Sequence, residues 1–280
     1  MRLGDFDLTI VSDGTYFLDG GAVFGIIPKV LWEKKRKPDG QNRLRVGLNC
    51  VLVRTGKKTV LIETGIGNKL NERQRRIYDP QLKLMDQLRA IGVAPEQVDV
   101  VINSHLHFDH CGWNTVLRDG KPVATFPNAT YYGSAGELRD GRLQRERDRV
   151  SYLSENYDPL VESGQMKLHQ RDAEILPGIS ARAYPGHTRD MLGIILQSRG
   201  ETACYISDLI PTISHIDLVW GLGFDLYPLE TIESKKRYYA ESIPGKWLTI
   251  FTHDHETPCA YIERDNAGKL ATRLPDGDGR

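Results

Sequence analysis

The sequence predicts an α/β fold in which strands alternate with helices. Hydrophobic residues make up 40% of the 280 residues and charged residues 26%, a balance typical of a chain with a normal buried core. Short apolar runs typical of strands recur along the chain, and histidines or acids stand just past several of them. Rigid strands fix the loops that follow them, so this arrangement favours a ligand site at the strand ends.

Several segments carry clear strand or helix signals. Residues 5–12 alternate apolar and polar side chains, and residues 47–64 predict a hairpin around the turn Gly56-Lys57-Lys58. Residues 98–102 are apolar except for Asp99, which is typical of a buried strand. A helix is predicted after Asp79-Pro80, with Gly92 as its end. Further strands are predicted to end at Tyr131-Tyr132 and to cover residues 179–184, 193–197, 202–207 and 247–251.

One segment allows more than one interpretation. In residues 14–46, glycines and a proline interrupt an apolar stretch from Phe24 to Trp32. This pattern predicts either a buried loop or short helix, or an insertion that covers a substrate pocket. Residues 134–157 are highly charged and predict an exposed helix. No linker or repeat divides the chain, so residues 1–280 are interpreted as one domain, with residues 275–280 as a frayed tail.

The composition also excludes some classes of partner and location. Basic and acidic residues balance at 37 each, so no net charge attracts nucleic acid or an anionic membrane. No run of about 18 apolar residues predicts a membrane span. The first residues do not resemble a signal peptide, and the four cysteines form no CxxC pair or evident disulfide framework. We therefore expect a cytoplasmic protein without a membrane or nucleic-acid partner.

The strongest chemical signal is the segment Ser104 to Gly112, SHLHFDHCG. It holds three of the eight histidines of the chain, directly after the buried strand at 98–102. In extended backbone, His105 and His107 point to the same side, while Asp109 and His110 fall where the chain turns and can serve opposite sides of a cavity. Imidazole suits zinc and similar metals, so the segment predicts a metal site.

The pattern His105-x-His107-x-Asp109-His110 resembles the signature of the metallo-β-lactamase superfamily. The resemblance implies an αββα four-layer sandwich, in which two mixed β-sheets face each other and are flanked by helices. It covers nearly the whole chain, because three further motifs follow in the order that the family has. These are Pro185-Gly186-His187-Thr188, Ser207-Asp208-Leu209 and Thr252-His253-Asp254.

The resemblance implies seven ligands for two metal ions. One ion would be held by His105, His107 and His187, the other by Asp109, His110 and His253, and Asp208 would bridge them. His255 is an alternative to His253, which is favoured because it directly ends a predicted strand. Glu63 stands where the family usually has aspartate, and either steadies the ligand loops or is purely structural.

The implied cofactor is a pair of zinc ions, although iron, manganese or cobalt fit the same ligand types. The ions would share a hydroxide that attacks the substrate, with Asp109 and Asp208 as the catalytic carboxylates. Asp109 would accept or pass the proton. The chain is therefore expected to be a metal-dependent hydrolase.

Within the superfamily, the cluster looks most like the N-acyl-homoserine lactone lactonases, which quench quorum sensing, and their organophosphate-hydrolysing relatives. The substrate would be a lactone or a carboxylic or phosphoric ester, and a homodimer is compatible with this branch. Those lactonases carry a tyrosine three residues after the bridging aspartate, where this chain has Pro211, and Tyr227 or His215 are candidates to replace it. The alternatives are a glyoxalase-II-like thioesterase, using the arginines of residues 139–149, and a non-haem iron redox enzyme resembling a persulfide dioxygenase.

Overall fold

Two seven-stranded sheets form the centre of the molecule. The computed structural model describes residues 1–275, so most of the predicted tail 275–280 lies outside the described residues. The first sheet has the order β1-β2-β3-β4-β5-β8-β9 and the second β10-β11-β12-β13-β14-β15-β16, with β6 and β7 as a separate hairpin. The strands are Arg2–Leu3 (β1), Phe6–Asp19 (β2), Arg43–Arg54 (β3), Thr59–Ile62 (β4), Val100–Ile102 (β5), Thr115–Arg118 (β6), Lys121–Ala124 (β7), Thr130–Ser134 (β8), Met166–His169 (β9), Ala173–Leu176 (β10), Ile179–Ala183 (β11), Leu192–Ser198 (β12), Glu201–Tyr205 (β13), Leu248–Ile250 (β14), Cys259–Arg264 (β15) and Leu270–Arg273 (β16).

Both sheets are mixed. In the first sheet the pairs β4–β5, β5–β8 and β8–β9 are parallel, and in the second the pair β13–β14 is parallel. The other pairs are antiparallel. The connections between parallel strands carry most of the helices. The helices are Gly20–Phe24 (α1), Lys29–Trp32 (α2), Glu72–Tyr78 (α3), Leu84–Ala90 (α4), Ala135–Leu143 (α5), Asp158–Glu162 (α6) and Pro228–Ser242 (α7).

The apolar side chains show how the layers pack. In β4, Val60 and Ile62 join the core between the two sheets, whereas Leu61 points outward to a cluster containing Leu88 of α4. On the outer face of the second sheet, a third cluster packs against Tyr238 of α7. Strands buried on both faces read as continuous apolar runs, as β4 and β5 do. The predicted αββα sandwich of two mixed sheets flanked by helices is confirmed.

The predicted strand 5–12 is too short. Strand β2 continues to Asp19, with a register shift between Ser12 and Thr15. Gly14 adopts a φ of 91° there, and a β-carbon at this position would lie 1.6 Å from the carbonyl oxygen of Gln81. The glycine therefore marks a bulge, which bends a strand without ending it. As a result, the ends of segment 14–46 belong to the long β2–β3 hairpin, and only residues 20–42 connect the strands.

The predicted exposed helix at residues 134–157 is also wrong in extent. Helix α5 covers only Ala135–Leu143 and is followed by short 3-10 turns. Its inner face buries Glu137, Leu138 and Asp140. The charged residues of the outer face make the whole segment look exposed in the sequence, because residues of both helix faces alternate along the chain. Among residues 1–275, no helix is long and apolar enough to cross a membrane.

Candidate metal centre

The predicted ligand residues lie at one edge of the sandwich, just past the carboxyl ends of strands. The segment from His105 to His110 follows β5 of the first sheet. His187 follows β11, Asp208 follows β13 and His253 follows β14, all in the second sheet. The structure thus brings together side chains that are up to 148 positions apart in sequence (105 to 253).

The seven side chains form three overlapping groups, in each of which the potential ligand atoms lie within 4.8 Å of one another. All seven are buried, with exposed fractions from 0% to 9%. The groups are His105, His107 and His187; His105, His110 and Asp208; and Asp109, His110 and His253.

Asp208 lies between the two sides of the cluster. Its Oδ2 is 3.3 Å from Nε2 of His187. Its Oδ1 is 3.4 Å from Nε2 of His110 and 3.2 Å from Nε2 of His253. One carboxylate therefore faces histidines from both sides, which is the arrangement that a bridging ligand needs.

The backbone and neighbouring carboxylates orient the rings. Nδ1 of His253 donates to the carbonyl oxygen of Gly47 at 2.7 Å. Nδ1 of His187 donates to Oδ1 of Asp225 at 3.0 Å. Because each Nδ1 carries the proton, the Nε2 of a neutral ring presents its lone pair to Asp208. A lone pair and a carboxylate oxygen 3.2–3.3 Å apart repel unless a proton or a metal ion lies between them.

Glu63 supports the same cluster from β4. Its Oε1 accepts a hydrogen bond from the backbone N–H of Ser104 at 2.6 Å, and its Oε2 lies 3.5 Å from Nδ1 of His110. Glu63 and Ser207 both adopt left-handed backbone conformations, with φ of 63° and 53°. Such conformations cost energy in residues other than glycine and concentrate at functional sites.

The donor set fits divalent metal ions. His105 Nε2, His110 Nε2 and Asp208 Oδ1 are buried and have no hydrogen-bond partner among residues 1–275. Buried polar atoms are almost always bonded, so atoms left bare at the centre of such a cluster indicate a bound ion. Imidazole nitrogen with carboxylate oxygen suits zinc, iron, manganese and cobalt alike.

The electrostatics favour a cation in the cluster. Burial and the neighbouring histidines lower the pKa of His105 and of His107 well below the usual value, so both rings stay neutral and keep a free lone pair. Burial would raise the pKa of Asp208, but the positive charge of His253, His110 and His187 in their protonated forms lowers it well below its usual value, and a bound cation would supply the same charge when the rings are neutral. Asp208 therefore stays ionised.

The sequence analysis missed Tyr16, a buried residue of β2. Its hydroxyl donates to Oδ2 of Asp109 at 2.6 Å, and its ring lies 5.9 Å from that of His253. Burial and Asp109 raise the pKa of Tyr16 well above its usual value, so the phenol keeps its proton. Tyr16 is more than 85 positions from the HxHxDH motif, and only the continuation of β2 past the bulge places it in the site.

Neither proposed substitute for the missing tyrosine enters the cluster. His215 is buried elsewhere, with Nε2 donating to the carbonyl oxygen of Val23 at 2.9 Å. The hydroxyl of Tyr227 accepts from Arg189 on the surface at 3.0 Å. His255, the alternative to His253, is outside all three groups.

Three of the five arginines considered for a basic patch form ion pairs with carboxylates. Arg139 pairs with Asp140 and Asp190, and Arg142 and Arg145 pair with Asp158 and Asp140. These pairs reduce the positive charge that the glyoxalase-II-like alternative would use to bind glutathione carboxylates.

Comparison with known sequences identifies relatives over most of the chain. Residues 44–257 match the metallo-beta-lactamase superfamily. The N-acyl homoserine lactonase AiiB of Agrobacterium fabrum is 25% identical over 259 residues, which cover 85% of this chain and 91% of the relative. An N-acyl homoserine lactonase of Bacillus cereus is 24% identical over 229 residues, with coverage of 77% and 84%.

Solved structures resemble the fold along its full length. A probable metal-dependent hydrolase from Staphylococcus aureus superposes with a TM-score of 0.89 at 28% identity, covering 99% of both chains. AidC, a dizinc quorum-quenching lactonase solved with a product, has a TM-score of 0.80 and covers 100% of this chain and 97% of its own. It is 19% identical, so the likeness concerns the fold alone.

Proposed function

The chain belongs to the metallo-β-lactamase superfamily and is a metal-dependent hydrolase, and from that premise we propose that it uses two metal ions to open a lactone or cleave a carboxylic or phosphoric ester. The observation that carries the proposal is Asp208, whose two oxygens face histidines on opposite sides of one buried cluster. The lactonases among the relatives support the choice of substrate class.

The proposed ligands divide into two sets. The first ion would be held by His105, His107 and His187, the second by Asp109, His110 and His253, with Asp208 shared. Bound divalent ions would lower the pKa of water and polarise a carbonyl or phosphoryl oxygen. We propose zinc as the metal, because five imidazoles and two carboxylates suit it, and AidC is described as a dizinc enzyme.

Asp109 and Tyr16 would position the group that transfers the proton of the attacking water, on the side from which substrate enters. Asp109 is the most exposed of the seven, at 9%, so the face on its side is where substrate would enter. Tyr16 donates to Oδ2 of Asp109, which leaves Oδ1 of the same carboxylate to accept the proton from attacking water. Asp109 would then pass that proton to the leaving group.

An apolar cluster beside Asp109 supports a substrate with a hydrophobic part. Phe108, which precedes Asp109, packs against Tyr78 at 5.2 Å between ring centroids, and Tyr78 packs against Tyr16 at 6.0 Å. Phe24 and Trp32 extend the same cluster. Because they share this cluster with Phe108, we propose that the apolar residues of the 20–42 connection shape the approach to the metal centre.

Two measurements on the purified protein test the proposal. Metal analysis should find two ions per chain, and a colourless zinc protein would argue against the iron redox alternative. Activity should then be screened against N-acyl homoserine lactones, an aryl ester, a phosphotriester and a thioester. Hydrolysis of the thioester alone, or visible absorbance from bound iron with no hydrolysis of any substrate, would contradict the proposal.

Asp208→Ala provides the sharpest test of the shared ligand. We expect it to lose metal from both sets and to lower kcat/KM by at least 100-fold, because one carboxylate serves both ions. Asp217→Ala is the control, since Asp217 is half-exposed and pairs with Lys35 on the surface. Full activity with two ions in Asp208→Ala would refute the bridging role.

Assembly and location stay predictions. We propose that the chain forms a homodimer, which sedimentation of the metal-loaded protein would test, and that it is cytoplasmic, which fractionation of the source cells would test. Quenching of quorum sensing follows only if the substrate screen finds activity on N-acyl homoserine lactones.

A further inference from the structure

Glu137 is a buried carboxylate of α5 that none of the recognised motifs contains. It is 0% exposed. Its Oε2 accepts hydrogen bonds from the backbone N–H of Leu106 at 3.2 Å and from the hydroxyl of Tyr152 at 3.1 Å. Its Oε1 accepts from the hydroxyl of Thr188 at 2.5 Å. Three separate chain segments thus converge on one side chain.

Each donor adjoins a proposed ligand of the same metal ion. Leu106 lies between His105 and His107 in the sequence, and Thr188 follows His187 directly. The ring of Tyr152 packs edge-on against His107, with 4.8 Å between centroids. All three members of the first set are therefore linked to Glu137 through a neighbouring residue.

The second set is held by different groups. Asp109 accepts from Tyr16, His110 lies beside Glu63, and His253 donates to the carbonyl oxygen of Gly47. Glu63 also accepts from the backbone N–H of Ser104, next to His105, so the supports of the two sets are separate apart from Glu63 and the shared Asp208.

We propose that Glu137 is a positioning residue that holds His105, His107 and His187 in one arrangement and so sets the metal affinity of the first set without acting on the second. This inference rests on the proposed dinuclear function. A buried carboxylate that merely anchored α5 would affect stability but would not distinguish between the two metal ions. The distinction between the ions is what separates positioning from simple structural support.

The test is zinc competition with a chromophoric chelator in two backgrounds. His253→Ala removes a ligand of the second set, so the remaining zinc is bound by the first set. In this background, Glu137→Gln should lower the zinc affinity about 10- to 100-fold, because an amide cannot accept hydrogen bonds from all three donors. His107→Ala removes a ligand of the first set, so the remaining zinc is bound by the second set. In this background, Glu137→Gln should alter the zinc affinity by less than about threefold. Glu146→Gln, on an exposed glutamate just beyond α5, is the control and should change neither.

Thr188→Val gives a second route that leaves the carboxylate in place. It removes one donor and should weaken zinc severalfold in the His253→Ala background, while Thr188→Ser should restore it. Equal losses in both backgrounds, or no loss in either, would overturn the role of Glu137. Fewer than two zinc ions in the unmutated chain would instead refute the dinuclear function itself, so the two failures are distinguishable.

Discussion

Individual side chains around the cluster act mainly by orienting others. Tyr16 is the clearest case, because its hydroxyl approaches Oδ2 of Asp109 at 2.6 Å in a buried setting. Hydrogen bonds to an ionised group are stronger than those between neutral groups. The phenol therefore fixes the orientation of the Asp109 carboxylate.

Tyr16→Phe should lower kcat/KM and the zinc affinity of the second set about 10-fold or more, because Asp109 loses its only side-chain donor among the described residues. Zinc competition and steady-state kinetics measure the two effects. Tyr78→Phe is the matched control, since Tyr78 belongs to the same aromatic cluster but its hydroxyl does not bond Asp109 in the described chain. Equal behaviour of the two variants would contradict the role given to Tyr16.

His215 gives a prediction about pH. The ring is 0% exposed and stacks on Phe24 at 4.8 Å, and burial lowers its pKa to about 3. In the unfolded chain a histidine titrates near about 6.5, so between these values the unfolded state binds a proton that the folded state does not. This neutral ring contributes stability that is fully present above about pH 6.5 and is lost as pH falls toward about 3.

In urea titrations of the metal-free protein, the free energy of unfolding should fall between pH 6 and 4. His215→Gln should reduce that slope by up to about 1.4 kcal/mol per pH unit. His169→Gln, on the partly exposed strand β9, is the control for replacing a histidine elsewhere in the chain. Slopes that are identical in the unmutated protein and His215→Gln would show that His215 is not responsible.

At the scale of elements, the sequence predicted best where local pattern and burial agree. The apolar run at residues 98–102 gave β5 because both faces of that strand are buried, between the sheets and under α4. Ligand motifs were equally clear, since each follows a strand directly. The sequence predicts that β2 ends near Gly14, where the structure has a bulge. A glycine is typical both of a bulge and of a strand end, and only the pairing of β2 with β3 distinguishes the two.

The residues that hydrogen-bond to the loops of the proposed ligands could not be predicted from sequence, for a related reason. Glu137, Asp225 and Tyr16 bond to ligand loops across 31 to 93 positions of sequence. No local pattern marks a carboxylate whose partners come from other elements. The helix α7 was likewise not predicted, although it carries a buried lysine that fixes the loop before it.

That lysine, Lys235, yields a prediction for α7. Its Nζ donates to the carbonyl oxygens of His215 at 2.7 Å, Asp217 at 3.2 Å and Trp220 at 2.7 Å. Lys235→Met fills the same space without donors and leaves buried carbonyls unpaired, so the free energy of unfolding should fall by about 2–4 kcal/mol.

Lys236→Met is the matched control, because Lys236 pairs only with Glu233 on the surface and should cost less than about 0.5 kcal/mol. Urea denaturation measures both variants. A loss in Lys236→Met as large as that in Lys235→Met would mean that helix propensity, rather than the carbonyl contacts, determines the effect.

For the whole molecule, the proposed metal centre lies where the two sheets meet. The segment after β5 of the first sheet carries four of the proposed ligands, and loops of the second sheet carry His187, Asp208 and His253. The apolar core between the sheets is independent of these ligands, with Ile62 and Ile250 both at 0% exposure. Removing metal should therefore leave the protein folded but less stable.

A chelator should lower Tm, and zinc should restore it. Each ion present at about 1,000 times its Kd stabilises the native state by about 4 kcal/mol, so two ions would raise Tm by roughly 14 °C in a chain of this size. Differential scanning calorimetry with and without chelator measures the shift, and Asp208→Ala should show little of it because its metal is already lost. A Tm that neither chelator nor zinc changes in the unmutated chain would show that the cluster does not join the sheets through metal ions.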